Sequence, residues 1–199
     1  MSSSGKYKIV ALVLAAGKST RMGAQNKLLL KFNDQSMVSH VVDQLIQSDV
    51  SSILVVTGNE ADHVRNSITQ DVKFADNPYY ELGLSSSLKV GISELPAQCD
   101  GVMICLGDMP YITSEDYNSI IMSFKPNKII APTLNGKIGN PLIFSKEYFL
   151  SFAELEGDKG ARKFLKEHKE NVVKVDLNTE AIFDDIDTPL SYEQILGKI

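Results

Sequence analysis

Little in this 199-residue chain points to a stapled, metal-caged or membrane-embedded protein. It has only two cysteines, Cys99 and Cys105, too few for a disulfide framework or a zinc pattern. Cys105 lies in the apolar run VMICL and reads as a core residue. The three histidines, His40, His63 and His168, fall on helical segments without metal-ligand spacing and read as structural. No run of about 18 apolar residues occurs, so no membrane-spanning helix and no membrane partner are expected. Excess positive charge is also missing. A formal net charge of -5 argues against a nucleic-acid partner, which needs a broad basic face. The start, MSSSGKYK, lacks the apolar stretch of a signal peptide. Residues 1–7 are expected to be a flexible tail and 8–199 a single domain, with the cytoplasm as the location. No repeat, low-complexity tract or linker interrupts the chain.

What is present is a regular alternation of strand-like and helix-like segments, with 43% hydrophobic residues to build a core. Continuous apolar runs at Lys8–Leu14, Ser52–Thr57 and Gly101–Leu106 suit strands covered on both faces. Shorter strands are expected at Val72–Ala75, Lys128–Ala131, Pro141–Phe144 and Val172–Val175. Helical spacing joins Met37, Val38, Val41, Val42 and Leu45 behind the candidate cap Ser36. It also joins Leu84, Leu88, Ile92 and Leu95, and Glu60–Ile68 reads as a short helix. Thr113 is placed to cap Tyr117, Ile120, Ile121 and Phe124; Asp158 is placed to cap Ala161, Phe164, Leu165 and His168. Thr188 and Pro189 start a last helix. This rhythm predicts an α/β fold, a Rossmann-like three-layer sandwich whose mostly parallel sheet carries helices on both faces. Ligands in such folds bind beyond the carboxyl ends of the strands, here the loops at Ala15, Thr57, Asp76 and Gly107.

The first of these loops, within LVLAAGKSTRMGAQNK, is rich in small residues and delivers Arg21 and Lys27 to the rim. Close backbone approach, exposed amides and two cations suit a nucleoside triphosphate. It is not a Walker A loop, because Leu12 stands where the first glycine is needed. It is not GxGxxG either, since Thr20 replaces the last glycine. A polar turn after an edge strand is the plain alternative.

Gly107-Asp108-Met109-Pro110 puts a carboxylate directly after a strand, where it can hold Mg²⁺ or simply bond its own turn. Asp184-Asp185-Ile186-Asp187 is more acidic than a helix cap requires. The loop NPYYELGLSSSL offers hydroxyls and free amides at a helix start, suited to a ribose or base edge, though plain capping uses only one of them. Gly139-Asn140-Pro141 and Gly157-Asp158-Lys159-Gly160-Ala161-Arg162 are two further polar clusters. In the second, Lys159 and Arg162 near a helix start favour an anion there, a solvated turn being the alternative.

Taken in order, LAAGKSTRMG, a lysine before LLL, NPYYELGLSSSL, GDMP, GNP and GDKGAR resemble the molybdenum cofactor cytidylyltransferases, the MocA-type members of the MobA-like nucleotidyltransferase group. The resemblance spans roughly Ile9 to Pro189. It implies transfer of CMP from CTP to the terminal phosphate of a molybdopterin-type cofactor, with Mg²⁺. Arg21, Lys27 and Asp108 would be catalytic. Ala15, Ala16, Gly17, Ser19, Thr20, Arg21, Lys27, Gly83, Ser85 and Ser86 would bind the nucleotide. Gly139, Asn140, Pro141, Asp158, Lys159, Gly160 and Arg162 would grip the cofactor. Asp108 and Asp187 would hold the metal, with Asp184 or Asp185 as alternatives to Asp187. A recipient molybdoenzyme or its maturation chaperone is the further partner implied. A second reading is a MocA-like oxidoreductase using a nicotinamide cofactor, and a third a non-catalytic nucleotide carrier. A transferase with another phosphate acceptor is the remaining variant.

Overall fold

In the computed structural model, which describes residues 7–23, 25–157 and 161–196 without the side chains of residues 162, 163 and 194–196, the run after Lys8 forms strand β1 (Ile9–Ala15), buried along its whole length. Residues 1–6 of the expected tail lie outside this description. Alternate residues of β1 feed opposite faces. Ile9, Ala11 and Val13 join one apolar cluster, and Val10, Leu12 and Leu14 the other. A strand that must fill two cores cannot alternate apolar with polar, which is why its sequence reads as unbroken hydrophobics.

After a two-residue hairpin, β2 (Lys31–Phe32) and β3 (Gln35–Ser36), come α1 (Met37–Ile46), β4 (Ser52–Thr57), α2 (Ala61–Ser67) and β5 (Lys73–Asp76). Next are α3 (Leu84–Ser93), β6 (Gly101–Leu106), α4 (Ser114–Met122), β7 (Ile129–Leu134), β8 (Lys137–Ile138) and β9 (Leu142–Ser145). A run of 3-10 turns over Lys146–Glu154 leads to α5 (Arg162–Glu167), β10 (Val172–Asp176) and α6 (Pro189–Leu196). Ser36 caps α1 by accepting from the Ser39 N–H, and Thr113 forms a full capping box with Asp116 on α4. The expected Asp158 cap lies outside the described residues.

Among the described residues, eight strands form one sheet in the order β10-β7-β9-β6-β1-β4-β5, with β8 beside β7. Helices α1, α2 and α4 cover one face through Val38, Val41, Val64, Tyr117 and Ile120. Leu88 of α3, Phe152 and Phe164 of α5 cover the other. The three-layer α/β sandwich is therefore as expected, with one difference in the sheet: β9 runs antiparallel to both β6 and β7. The link from Leu134 to Leu142 is shorter than the roughly dozen residues a parallel crossover requires. Because β9 is reversed, its start lies beside the end of β6. Leu142 pairs with Ile104, so Gly139-Asn140-Pro141 comes to the same rim as Gly107.

Candidate active site

The loop after β1 is folded by its own polar groups. Ser19 adopts a left-handed conformation (φ 53°), and its hydroxyl accepts the backbone N–H of Lys27 at 3.2 Å. Asn26 caps the turn at Lys27–Leu29 by accepting from the Leu28 N–H at 3.1 Å. These bonds close the loop on itself and aim Lys27 back toward the sheet rim.

There the Lys27 ammonium bridges the carboxylates of Asp108 and Asp187. The Arg21 guanidinium pairs with the other oxygen of Asp187 at 2.7 Å, on the exposed side. Oxygens of Asp108, Asp185 and Asp187 lie within 4.8 Å of one another, the one such group of metal-ligand type among the described residues. Asp184 is not in it. Burial opposes the charge on Lys27, but Asp108 and Asp187 outweigh it and raise its pKa. Partial burial, then the hydrogen bond with Asp187, pushes Asp185 up to about 6. Burial works the same way on Asp187, yet the bond from Asp185 and the two cations hold its carboxyl below the usual range.

The cluster fits a hard divalent cation on the evidence of its own donors. All are carboxylate oxygens, and Asp108 Oδ1 is buried without a hydrogen-bond partner.

Above the cluster opens a cleft of about 500 Å³. Of the residues expected to bind the nucleotide, Ala16, Gly17, Ser19, Thr20, Arg21, Lys27 and Gly83 line it. Ala15 is buried in β1 beneath it, and Ser85 and Ser86 face a neighbouring groove with Tyr79 and Leu82. Of the three serines at the start of α3, the one that lines the cleft is Ser87. Gly83, which immediately precedes α3, and Ser87 are four apart, a spacing the sequence contains. Asn77, 1% exposed, donates to both Ser86 Oγ (2.9 Å) and Ser87 Oγ (3.0 Å). Lys18 and Glu81, neither anticipated, form an ion pair that joins the two walls. The walls also touch through Gly58, where a Cβ would stand 2.8 Å from the Cβ of Ala16 and of Tyr80.

Ahead of β9, Asn140 donates its backbone N–H to the Ile182 carbonyl at 2.9 Å. Gly139 is pressed against the same carbonyl, where a Cβ would come within 2.5 Å. The Asn140–Pro141 bond is cis. Asp158, Lys159 and Gly160, and the side chain of Arg162, lie outside the described residues.

Residues 11–172 match the family of the MobA-like NTP transferase domain. The chain belongs to this family. A purine catabolism protein, PucB of Bacillus subtilis, is 27% identical over 94% of this chain and 95% of its own length. The bifunctional protein GlmU of Staphylococcus carnosus is 29% identical over 68% of the chain, a match spanning only 30% of GlmU. Among solved structures, Rv0371c of Mycobacterium tuberculosis superposes with a TM-score of 0.86 at 25% identity, covering 97% of this chain and all of that one. The same protein in complex with manganese gives 0.81 at 25% identity, covering 96% and 100%. This MobA-like domain is thus a member of a nucleotidyltransferase family, and these relatives lend no support to the oxidoreductase reading. Among its described residues no helix is long and apolar enough to cross a membrane.

Proposed function

We propose that the protein transfers CMP from CTP to the terminal phosphate of a molybdopterin-type molybdenum cofactor, releasing pyrophosphate. The observation that carries this reading is the meeting of the small-residue loop, Lys27 and Asp108 in one cleft. Its volume suits a nucleoside triphosphate. Leu14, Leu84 and Leu106 give part of the lining an apolar character suited to a base, while Lys18, Arg21 and Lys27 give another part positive charge suited to phosphates. The Ala15-Ala16-Gly17 sequence supports cytosine, and NPYYELGLSSSL with GDKGAR supports the molybdopterin acceptor.

In the reaction, an oxygen of the acceptor phosphate forms a bond to the α-phosphorus as the bond to the β-phosphate oxygen breaks. Pyrophosphate leaves with the bonding pair. The nucleophile is already ionised, so no general base is required. Arg21 and Lys27 balance the charge that gathers on the leaving group, and the loop amides fix the triphosphate in line. When bound by Asp108 and Asp187, with Asp185 beside them, a divalent cation, Mg²⁺ in this reading, supplies charge neutralisation at the phosphates. That Rv0371c forms a complex with manganese supports a divalent ion in this reading. Asn140, between Gly139 and Pro141 on the rim near Asp108, is the described candidate for holding the acceptor. A recipient molybdoenzyme or its maturation chaperone would take the product.

The test is incubation with purified molybdopterin, Mg²⁺ and each of CTP, GTP and ATP, with pyrophosphate and dinucleotide assayed. Dinucleotide from CTP alone is expected. Pyrophosphate released only with a sugar phosphate or polyol phosphate would replace the acceptor. Tight CTP binding with no release for any acceptor would make the protein a carrier.

A further inference from the structure

Lys27 is held at two points that do different things. Its backbone N–H is bound by Ser19 Oγ, which anchors the residue to the first loop. Its ammonium stands where the carboxylates of Asp108 and Asp187 converge, on a side chain only 15% exposed. Asp185 is the third acid of the group, and Arg21 approaches Asp187 from the exposed side. Lys27 also lines the nucleotide cleft, so the carboxylates and the cleft are both within its reach.

Resting on the metal reading above, we propose that Lys27 is a tethered counter-ion that a divalent cation must displace, and that the displaced ammonium turns into the cleft to meet the triphosphate. A metal held by Asp108 and Asp187 would sit at contact distance from an ammonium bridging the same two carboxylates, and the two cations repel each other there. The divalent ion has the stronger claim on hard oxygen ligands. With the backbone fixed by Ser19, the four-carbon stem lets the charge move while the residue stays in place. Metal bound alone forces Lys27 away from its partners. A triphosphate gives the freed ammonium a new one, so each ligand favours the other. The same lysine also keeps three crowded carboxylates from repelling one another when no metal is bound.

Mn²⁺ titration followed by electron paramagnetic resonance, without nucleotide, tests this on the wild type, Lys27→Met, Arg21→Gln and Asp108→Asn. Lys27→Met removes the competing charge and keeps the bulk of the stem. It is expected to bind Mn²⁺ at least about tenfold more tightly than wild type. Arg21→Gln removes a cation from the edge of the same group and is expected to change affinity by less than about threefold. Equal effects of the two variants, or no tightening in Lys27→Met, would overturn the exchange. Mn²⁺ binding that survives Asp108→Asn would overturn the metal reading and this inference together. Binding lost in Asp108→Asn but unchanged in Lys27→Met would overturn the exchange alone. A crystal structure of the wild type with Mn²⁺ gives a check that needs no variant. The Lys27 Nζ is expected beyond roughly 4 Å from both carboxylates, and an ammonium still bridging them would refute the proposal.

Discussion

The backbone N–H of Ile186 donates to the carbonyl of Asp108 at 3.0 Å. This bond joins two segments far apart in the chain and sets the register of the acidic run. It brings Asp185 and Asp187 to Asp108 and leaves Asp184 outside the cluster. Asp108→Asn and Asp187→Asn are therefore expected to lower pyrophosphate release at least about a hundredfold, with Tm changed by only a few degrees. Asp184→Asn should stay close to wild type. Full activity in Asp108→Asn would remove its role.

The serine loop gives a second contrast. Ser87 Oγ accepts from Asn77 and lines the cleft, while Ser85 faces the neighbouring groove. Ser87→Ala should raise the KM for the nucleotide by up to about tenfold, the worth of one hydrogen bond. Ser85→Ala should leave it unchanged. Steady-state kinetics on the two variants decides the assignment, and the reverse pattern would return the site to Ser85.

How far the sequence could be read depended on what kind of information each feature carries. Burial on two faces leaves a direct trace, so β1, β4 and β6 were plain from composition. The meeting of Arg21, Lys27 and Asp108 in one cleft was legible because strand ends and loop chemistry lie close together in sequence. Strand direction leaves no such trace: β9 reads like its neighbours, and only the short link from Leu134 reveals its reversal. The β2–β3 hairpin turns on Asn33 and Asp34, both at positive φ, without the glycine that usually signals such a turn. Choosing among three adjacent serines needed the helical phase set by Gly83, and choosing among three aspartates needed the Ile186–Asp108 bond. Both depend on tertiary register that residue type alone does not encode.

Gly58 supports the cleft from outside it. A Cβ there would press on Ala16 and Tyr80, which stand on opposite walls. Gly58→Ala is expected to destabilise the fold by roughly 1–3 kcal/mol and to weaken nucleotide binding as the walls separate. Thermal melts and a nucleotide titration report the two effects. An unchanged KM would show that the walls hold their spacing without this contact.

His40 predicts how stability responds to acid. Burial lowers its pKa, and the opposing influences of Asp43 and the Pro110 backbone do not restore the ordinary value of 6.5. Its ring lies 4.7 Å from that of Phe32, centroid to centroid, in a site that favours the neutral form. The unfolded chain therefore binds the proton more readily than the native one. As pH falls through 6.5, protonation draws molecules toward the unfolded state, and the loss levels off below the native pKa. Asp185, pushed up to about 6, works in the opposite direction, so between pH 7.5 and pH 5.5 the change in Tm is expected to be more downward in the wild type than in His40→Gln, since glutamine has no proton to gain. Identical slopes in the two proteins would place the acid sensitivity elsewhere than His40.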